Sequence, residues 1–241
     1  MSVMIKRDMA TSSILQMKES QGIAIANNNQ KTMPIIPNEI LKSKLMIRGG
    51  FDVFEGIIDE TIKRELLNEA IKQKEFLMDS LVENNDKEEV RGGTPKRKFL
   101  SSSGGLYQER FYKSEWVLDF LRDLTTPFLK PTGEQGTYTY YSREGDYLDI
   151  HRDIVECDIA VISCLLNENK ADNLGGYLCL YPDRMTEPLS HIRATPNKGA
   201  VKILLEEGQT IVMYGGYIPH TLLPVSKGQN RVVSVLCYRV I

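Results

Sequence analysis

The chain has 241 residues, 30 Lys and Arg against 32 Asp and Glu, a formal net charge of −2 and 41% hydrophobic residues. That near-neutral balance argues against a general nucleic-acid binder, which would be basic. A mean hydropathy of −0.28 and the lack of a long apolar run argue against a membrane span. Met1 to Gln16 has no continuous apolar core like that of a secretory signal, so a cytoplasmic chain is the expectation.

Residues 1–50 are polar and irregular, with Asn27-Asn28-Asn29-Gln30, Pro34 and Pro37 interrupting any continuous helix. They are expected to form an extension that wraps on the domain or is partly mobile. One domain is expected from 51 to 241. Phe51 to Phe54 alternates like a strand. Asp59 or Thr61 can cap a following helix, and apolar Leu66, Leu67, Ala70, Ile71, Phe76, Leu77 and Leu81 make a helical stripe from Ile62 to Leu81. Residues 82–106 are charged and rich in Gly and Ser, a loop of basic character around Arg91 to Lys98. A second helix is predicted over Ser114 to Leu129, ended by Pro131 and Gly133.

From about 136 the pattern changes to short apolar or alternating runs separated by Gly, Asn, Pro and Asp. They are Thr137–Tyr141, Tyr147–His151, Ile159–Leu166, Tyr177–Tyr181, Val201–Leu205, Thr210–Tyr214, Thr221–Val225 and Arg231–Val240. So many short strands predict a jelly roll. With the helices first, the fold class is α+β, the helices packed on one sheet. Cys157, Cys164, Cys179 and Cys237 show no Cys-x-x-Cys spacing, and each sits in or beside an apolar run. They read as reduced, buried cysteines.

The chemistry concentrates on few residues. In extended backbone His151 and Asp153 share a face, with Arg152 opposite, so both can reach one metal ion. His220 arrives from another strand edge after Gly215-Gly216. Two imidazoles and one carboxylate form the facial triad of non-haem Fe(II) oxygenases. Arg231 opens the last apolar strand, and a buried guanidinium there calls for an anionic partner, best a carboxylate held by two parallel hydrogen bonds.

These residues resemble the His-x-Asp…His…Arg pattern of the Fe(II)/2-oxoglutarate-dependent dioxygenases, most of all the prolyl-hydroxylase-like branch. The flanks add to the resemblance: Tyr141 to His151, Ile159 to Asn167, Asn173-Leu-Gly-Gly-Tyr-Leu, Gly208 to Met213, and His220-Thr-Leu-Leu-Pro-Val-Ser-Lys-Gly-Gln-Asn-Arg231. It spans roughly residues 50–241. The resemblance implies a double-stranded β-helix with iron held by His151, Asp153 and His220. It implies 2-oxoglutarate as cosubstrate, its 5-carboxylate on Arg231, with O2 consumed and ascorbate as a stimulant. A tyrosine often assists the keto acid in this family; Tyr141 fits the spacing best, with Tyr138 and Tyr140 as alternatives on the opposite face. Some branches place Ser two positions after the arginine, where this chain has Val233; Ser234 should face the other way. Retention of Asp153 disfavours halogenation.

The activity implied is hydroxylation of an unactivated C–H bond in a small molecule, amino-acid derivative or peptide, releasing succinate and CO2. Two alternatives stay open: a non-catalytic ligand- or partner-binding module of the same fold, and an Fe(II) oxidase that does not use 2-oxoglutarate. Candidate substrate contacts are Tyr214 and Tyr217 before the distal histidine, and Arg184 and Arg193 in the loop that also carries His191. The basic loop from Arg91 is a candidate lid. No nucleic-acid or membrane partner is expected, and monomer or homodimer stays undecided.

Overall fold

Period-two alternation in the second half of the chain resolves into antiparallel strands with one face turned to a shared interior. The computed structural model describes residues 33–84, 90–133, 135–169 and 175–241. The expected extension lies outside these residues up to position 32. Beyond it, helices α1 (Asn38–Leu41) and α2 (Lys44–Ile47) bury Ile40, Leu45 and Met46. The Tyr214 hydroxyl ties this segment in, donating to Ser43 Oγ at 2.8 Å.

The larger sheet holds β1 (Phe51–Phe54), β2 (Met78–Asp79), β4 (Leu100–Ser103), β5 (Leu129–Pro131), β6 (Thr137–Tyr141), β8 (Ile159–Asn169), β11 (Thr210–Met213) and β13 (Gln229–Val240). Their order is β1-β11-β8-β13-β6-β4-β2, with β5 beside β13. The smaller sheet orders β3 (Arg97–Lys98), β7 (Tyr147–His151), β9 (Leu178–Leu180), β10 (Val201–Ile203) and β12 (His220–Leu222) as β10-β9-β12-β7-β3. This is the jelly roll, and the α+β class, that the strand pattern predicts.

Helix α3 (Glu60–Gln73) starts where Asp59 accepts a hydrogen bond from the Ile62 amide at 2.8 Å, a side-chain N-cap. Together with α4 (Leu106–Tyr112) it covers the outer face of the larger sheet. Glu69 joins the layers. Its carboxylate accepts from the amides of Gly105, Tyr107 and Gln108 at 3.1, 2.6 and 2.9 Å, and from the Tyr138 hydroxyl at 2.8 Å. The otherwise unpaired donors at the start of α4 are thereby satisfied by an anion, which the helix dipole favours.

Three local expectations differ from the structure. The first helix ends at Gln73, followed by a 3-10 turn at Lys74–Phe76, and Phe76, Leu77 and Leu81 are exposed. Helix α5 (Glu115–Leu124) stops before Thr126-Pro127, and the chain then pairs as β5 with β13, because the residue before a proline is pushed to extended backbone. Within the segment predicted as loop, β3 and β4 form because β7 and β6 offer unpaired edges. The covered face of such short polar strands leaves no apolar pattern in sequence.

The cysteine reading is corrected. Cys157 and Cys237 are joined in a disulfide, with Cα atoms 5.0 Å apart, while Cys164 and Cys179 are free and buried. Register brings the pair together: Asp158 donates to Tyr238 O at 3.0 Å, and Ala160 lies opposite Cys237. An 80-residue separation leaves no local spacing signature. No helix among the described residues is long and apolar enough to cross a membrane.

Two outcomes are expected. Glu69→Ala should lower stability by about 2–4 kcal/mol in urea unfolding, since it strands several donors at once. Protein denatured without reductant should titrate as two thiols and yield a joined Cys157–Cys237 peptide; four thiols would contradict the pairing.

Candidate metal centre

Strands β7 and β12 are neighbours, and His151 lies directly opposite His220. Opposed residues in an antiparallel pair project to the same face, so both imidazoles enter the interior, with ring centroids 4.2 Å apart. Asp153 follows two residues after His151. Its Oδ1 lies 3.5 Å from His151 Nε2 and 3.6 Å from His220 Nε2. All three candidate ligand atoms fall within 4.8 Å of one another.

The histidine tautomers follow from their backbone partners. His151 Nδ1 is 2.8 Å from Asp149 O, and His220 Nδ1 is 2.9 Å from Ile218 O. A carbonyl only accepts, so each Nδ1 carries a proton and each Nε2 is turned to the cluster. Such carbonyl contacts also fix ring orientation in metal sites.

Burial is the largest influence on all three groups. It pushes His151 down, and the neighbouring His220 adds to this. Burial alone would raise Asp153, but the two imidazoles together hold its carboxyl well below the usual range. Burial alone would lower His220, but attraction and hydrogen bonding to Asp153 hold it raised. The pocket thus keeps Asp153 ionised and His151 neutral, the forms that ligate a cation.

Gly215-Gly216 shapes the wall behind the carboxylate. Asp153 N donates to Gly215 O at 2.9 Å. A Cβ on Gly215 would sit 2.0 Å from Asp153 Oδ2, and one on Gly216 2.1 Å from Arg91 Nη2. Only glycine allows both approaches. The carbonyl of Asp153 also accepts from Gly92 N at 3.1 Å.

Arg152 points away from the ligands and is 1% exposed. Its guanidinium donates to Tyr217 O, Val90 O, Met185 O and Glu187 O. Arg91 donates to Asp158 Oδ1 at 2.7 Å and to the carbonyls of Ile154 and Cys157. It also lies over the Tyr217 ring, 4.8 Å from its centre. The first residue of the predicted basic lid is therefore a pin beside the segment that carries the candidate ligand Asp153.

Arg231 pairs with Tyr141 across β13 and β6. It is 1% exposed; Nη1 donates to Gly176 O, and Nε is buried with no hydrogen-bond partner among the described residues. Burial pushes the Tyr141 phenol up against the opposing pull of Arg231. Tyr141 packs with Leu222, Val225 and Val233 on the inner face.

The other candidates lie elsewhere. The Tyr138 and Tyr140 hydroxyls donate to Glu69 and to Ala70 O on the helix side of the sheet, the opposite face, as alternation requires. Ser234 is also on that side, accepting from Gln108 Nε2 at 2.8 Å. Tyr214 is held by Ser43, and the Tyr217 hydroxyl donates to Asp158 Oδ1. Arg184 is buried, bound to Glu187 and to the carbonyls of His191, Thr195 and Lys198. Arg193, on α6 (Leu189–Ala194), donates to Ile150 O at 2.6 Å and lies near Asp149. These side chains serve internal contacts. Sequence reasoning missed the roles of Gly215, Gly216 and Arg91, for which the Gly-Gly pair before His220 was the one available signal.

No family model and no curated protein sequence matches the chain. Solved structures do. The non-haem α-ketoglutarate-dependent epimerase SnoN from nogalamycin biosynthesis aligns with a TM-score of 0.62 at 12% identity, over 82% of this chain and 78% of its own. HygX from Streptomyces hygroscopicus, with nickel and 2-oxoglutarate bound, aligns at 0.57 and 12%, over 85% and 87%. A prolyl hydroxylase from Trichoplax adhaerens, in complex with a hypoxia-inducible-factor peptide fragment, aligns at 0.56 and 13%, over 83% and 88%. The chain has the jelly-roll fold of the Fe(II)/2-oxoglutarate oxygenases.

Gly215→Ala tests the carboxylate wall. It should weaken Ni(II) binding by about 10- to 100-fold, the range seen when support for metal ligands is removed. Isothermal titration, with circular dichroism to check the fold, provides the measurement; unchanged affinity would show that Asp153 does not ligate.

Proposed function

We propose that this protein is an Fe(II)/2-oxoglutarate-dependent oxygenase that hydroxylates an organic substrate, with succinate and CO2 as coproducts. One observation carries the reading: the interior faces of the two sheets hold a His151–Asp153–His220 cluster and a buried, under-bonded Arg231 together. A dicarboxylic keto acid matches that pair of features, since one end can chelate a metal and the other can meet a guanidinium.

In this reading His151, Asp153 and His220 hold Fe(II), through two neutral nitrogens and one anionic oxygen, a donor set suited to it. Bound Fe(II) supplies O2 activation driven by oxidative decarboxylation of the keto acid. The chain's own residues do the rest. The carbonyls of Asp149 and Ile218 keep the Nδ1 protons in place, so the imidazoles do not rotate. Gly215 leaves room for the Asp153 carboxylate. Arg231 binds the 5-carboxylate of 2-oxoglutarate, its buried Nε supplying a donor that now lacks an acceptor. The Tyr141 hydroxyl lies on the same inner face and is the tyrosine placed to assist. Leu222, Val225 and Val233 exclude water around the cosubstrate's chain. Retention of Asp153 leaves no open halide position. The substrate is a small molecule, amino-acid derivative or peptide, and the similar structures include enzymes for both kinds.

Two outcomes are expected. Titration of Ni(II)-loaded protein with 2-oxoglutarate should show binding that Arg231→Gln weakens at least about 100-fold, the cost of an unmet charged bond. With Fe(II) and ascorbate in air, slow succinate release should occur and be lost in Asp153→Ala. Absence of both binding and turnover in the wild type would overturn the reading and favour a non-catalytic module; turnover without 2-oxoglutarate would favour an Fe(II) oxidase.

A further inference from the structure

Arg231 is one of four arginines with a buried Nε that has no hydrogen-bond partner among the described residues; the others are Arg91, Arg97 and Arg193. Arg91 and Arg193 differ, because each has an acidic neighbour, Asp158 and Asp149. Arg97 forms no ion pair among the described residues.

Register shows which way Arg97 points. On β3 it lies directly opposite Leu148 of β7, and opposed residues share a face. Leu148 in turn lies opposite Leu222 and packs against the inner cluster of Tyr141, Leu222, Val225 and Val233. Arg97 therefore projects to the interior face that carries His151 and His220, because a bulge between the His220 and Leu222 pairings lets Leu148 and His151 share that face although they are three residues apart. Leu148 is three residues before His151, on the order of 10 Å along the strand. Lys98 alternates to the other face and donates to Glu144 O at 2.9 Å.

The backbone of Arg97 is held on both edges. Besides β7, it exchanges hydrogen bonds with Val82, at 3.0 Å from N and 2.8 Å to O. The guanidinium thus extends from a fixed point, half-buried. Phe99, two residues on, packs against the same inner cluster and meets the Tyr141 ring with centroids 5.6 Å apart. An apolar wall beside a cation suits an organic acid.

Charge balance points the same way and rests on the function proposed above. Fe(II) and Arg231 together offset Asp153 and the dianionic keto acid. Arg97 is then left without a counter-ion in that set, and a partly desolvated guanidinium is costly unless an anion meets it. We propose that Arg97 binds a carboxylate of the organic substrate, so that the substrate class is a carboxylic acid. The apolar part of that acid lies along Leu148 and Phe99 towards the metal ligands.

The test does not depend on turnover. The full chain, with and without Ni(II), is treated with phenylglyoxal, and modified arginines are mapped by peptide mass spectrometry. The protectants are matched pairs: the twenty L-amino acids against their amides, and tripeptides with free against amidated C-termini. Arg97 should react. At least one acid at about 10 mM should slow its modification about threefold or more, as expected for millimolar binding, while the paired amide does not. Protection among the free amino acids points to a small-molecule acid; protection confined to the tripeptides points to a peptide terminus. In 2-oxoglutarate turnover with Fe(II), the protecting acid should stimulate about tenfold more than its amide, and Arg97→Gln should lose this preference. An unreactive Arg97, no protection by any acid, or equal protection by the amides would overturn the proposal. So would protection by 2-oxoglutarate alone, which would make Arg97 a cosubstrate ligand. Failure of 2-oxoglutarate to bind, with Arg97 still protected by acids, would instead overturn the oxygenase reading alone.

Discussion

The pairing of His151 with His220 across β7 and β12 is the constraint on which the rest of the site depends. It sets two imidazoles on one face with ring centroids 4.2 Å apart. A register slip of one residue would turn one of them out of the interior. Both rings are then locked by backbone carbonyls. Burial opposes charge on every member of the cluster, so the ionised Asp153 persists only because two imidazoles face it.

Around that pair, the two faces of the larger sheet carry different chemistry. On β6 and β13 the inner face presents Tyr141, Arg231 and Val233. The outer face presents Tyr138, Tyr140 and Ser234 to the helices, where Glu69, Ala70 and Gln108 meet them. Successive residues of a strand point to opposite sides, so one short strand supplies both the helix attachment and part of the inner face. Glu69 gathers the helix side into one network, which keeps β6 from shifting beneath Arg231.

The segments that follow the ligands are held by buried arginines. Arg152, between the candidate ligands His151 and Asp153, binds four carbonyls, and Arg91 joins Asp158 and Tyr217 next to the Cys157–Cys237 disulfide. A guanidinium has several donors in a fixed plane and suits such multi-carbonyl contacts. Among the described residues Arg152 and Arg91 each meet several protein acceptors, whereas the Arg231 guanidinium meets one carbonyl and Arg97 forms no ion pair, the contrast on which the ligand roles proposed above rest.

Much of this was legible in the sequence because it depends on local rules. Alternation marked the main strands, and the His-x-Asp spacing put two ligand types on one face. An arginine opening an apolar strand marked a buried guanidinium. Alternation also separates Tyr141 from Tyr138 and Tyr140. What the tertiary structure alone decided concerns partners far apart in the chain. Strands β3 and β4 exist because β7 and β6 have free edges, and without them Arg97 would have no defined direction. The Cys157–Cys237 bond and the burial of Arg91 arise from a crossing of the last strand past the loop after Asp153. Arg184 and Arg193 look available in sequence, but the fold encloses them with carbonyls and carboxylates. Local pattern reports which face a side chain takes; only the packed chain reports what it meets there.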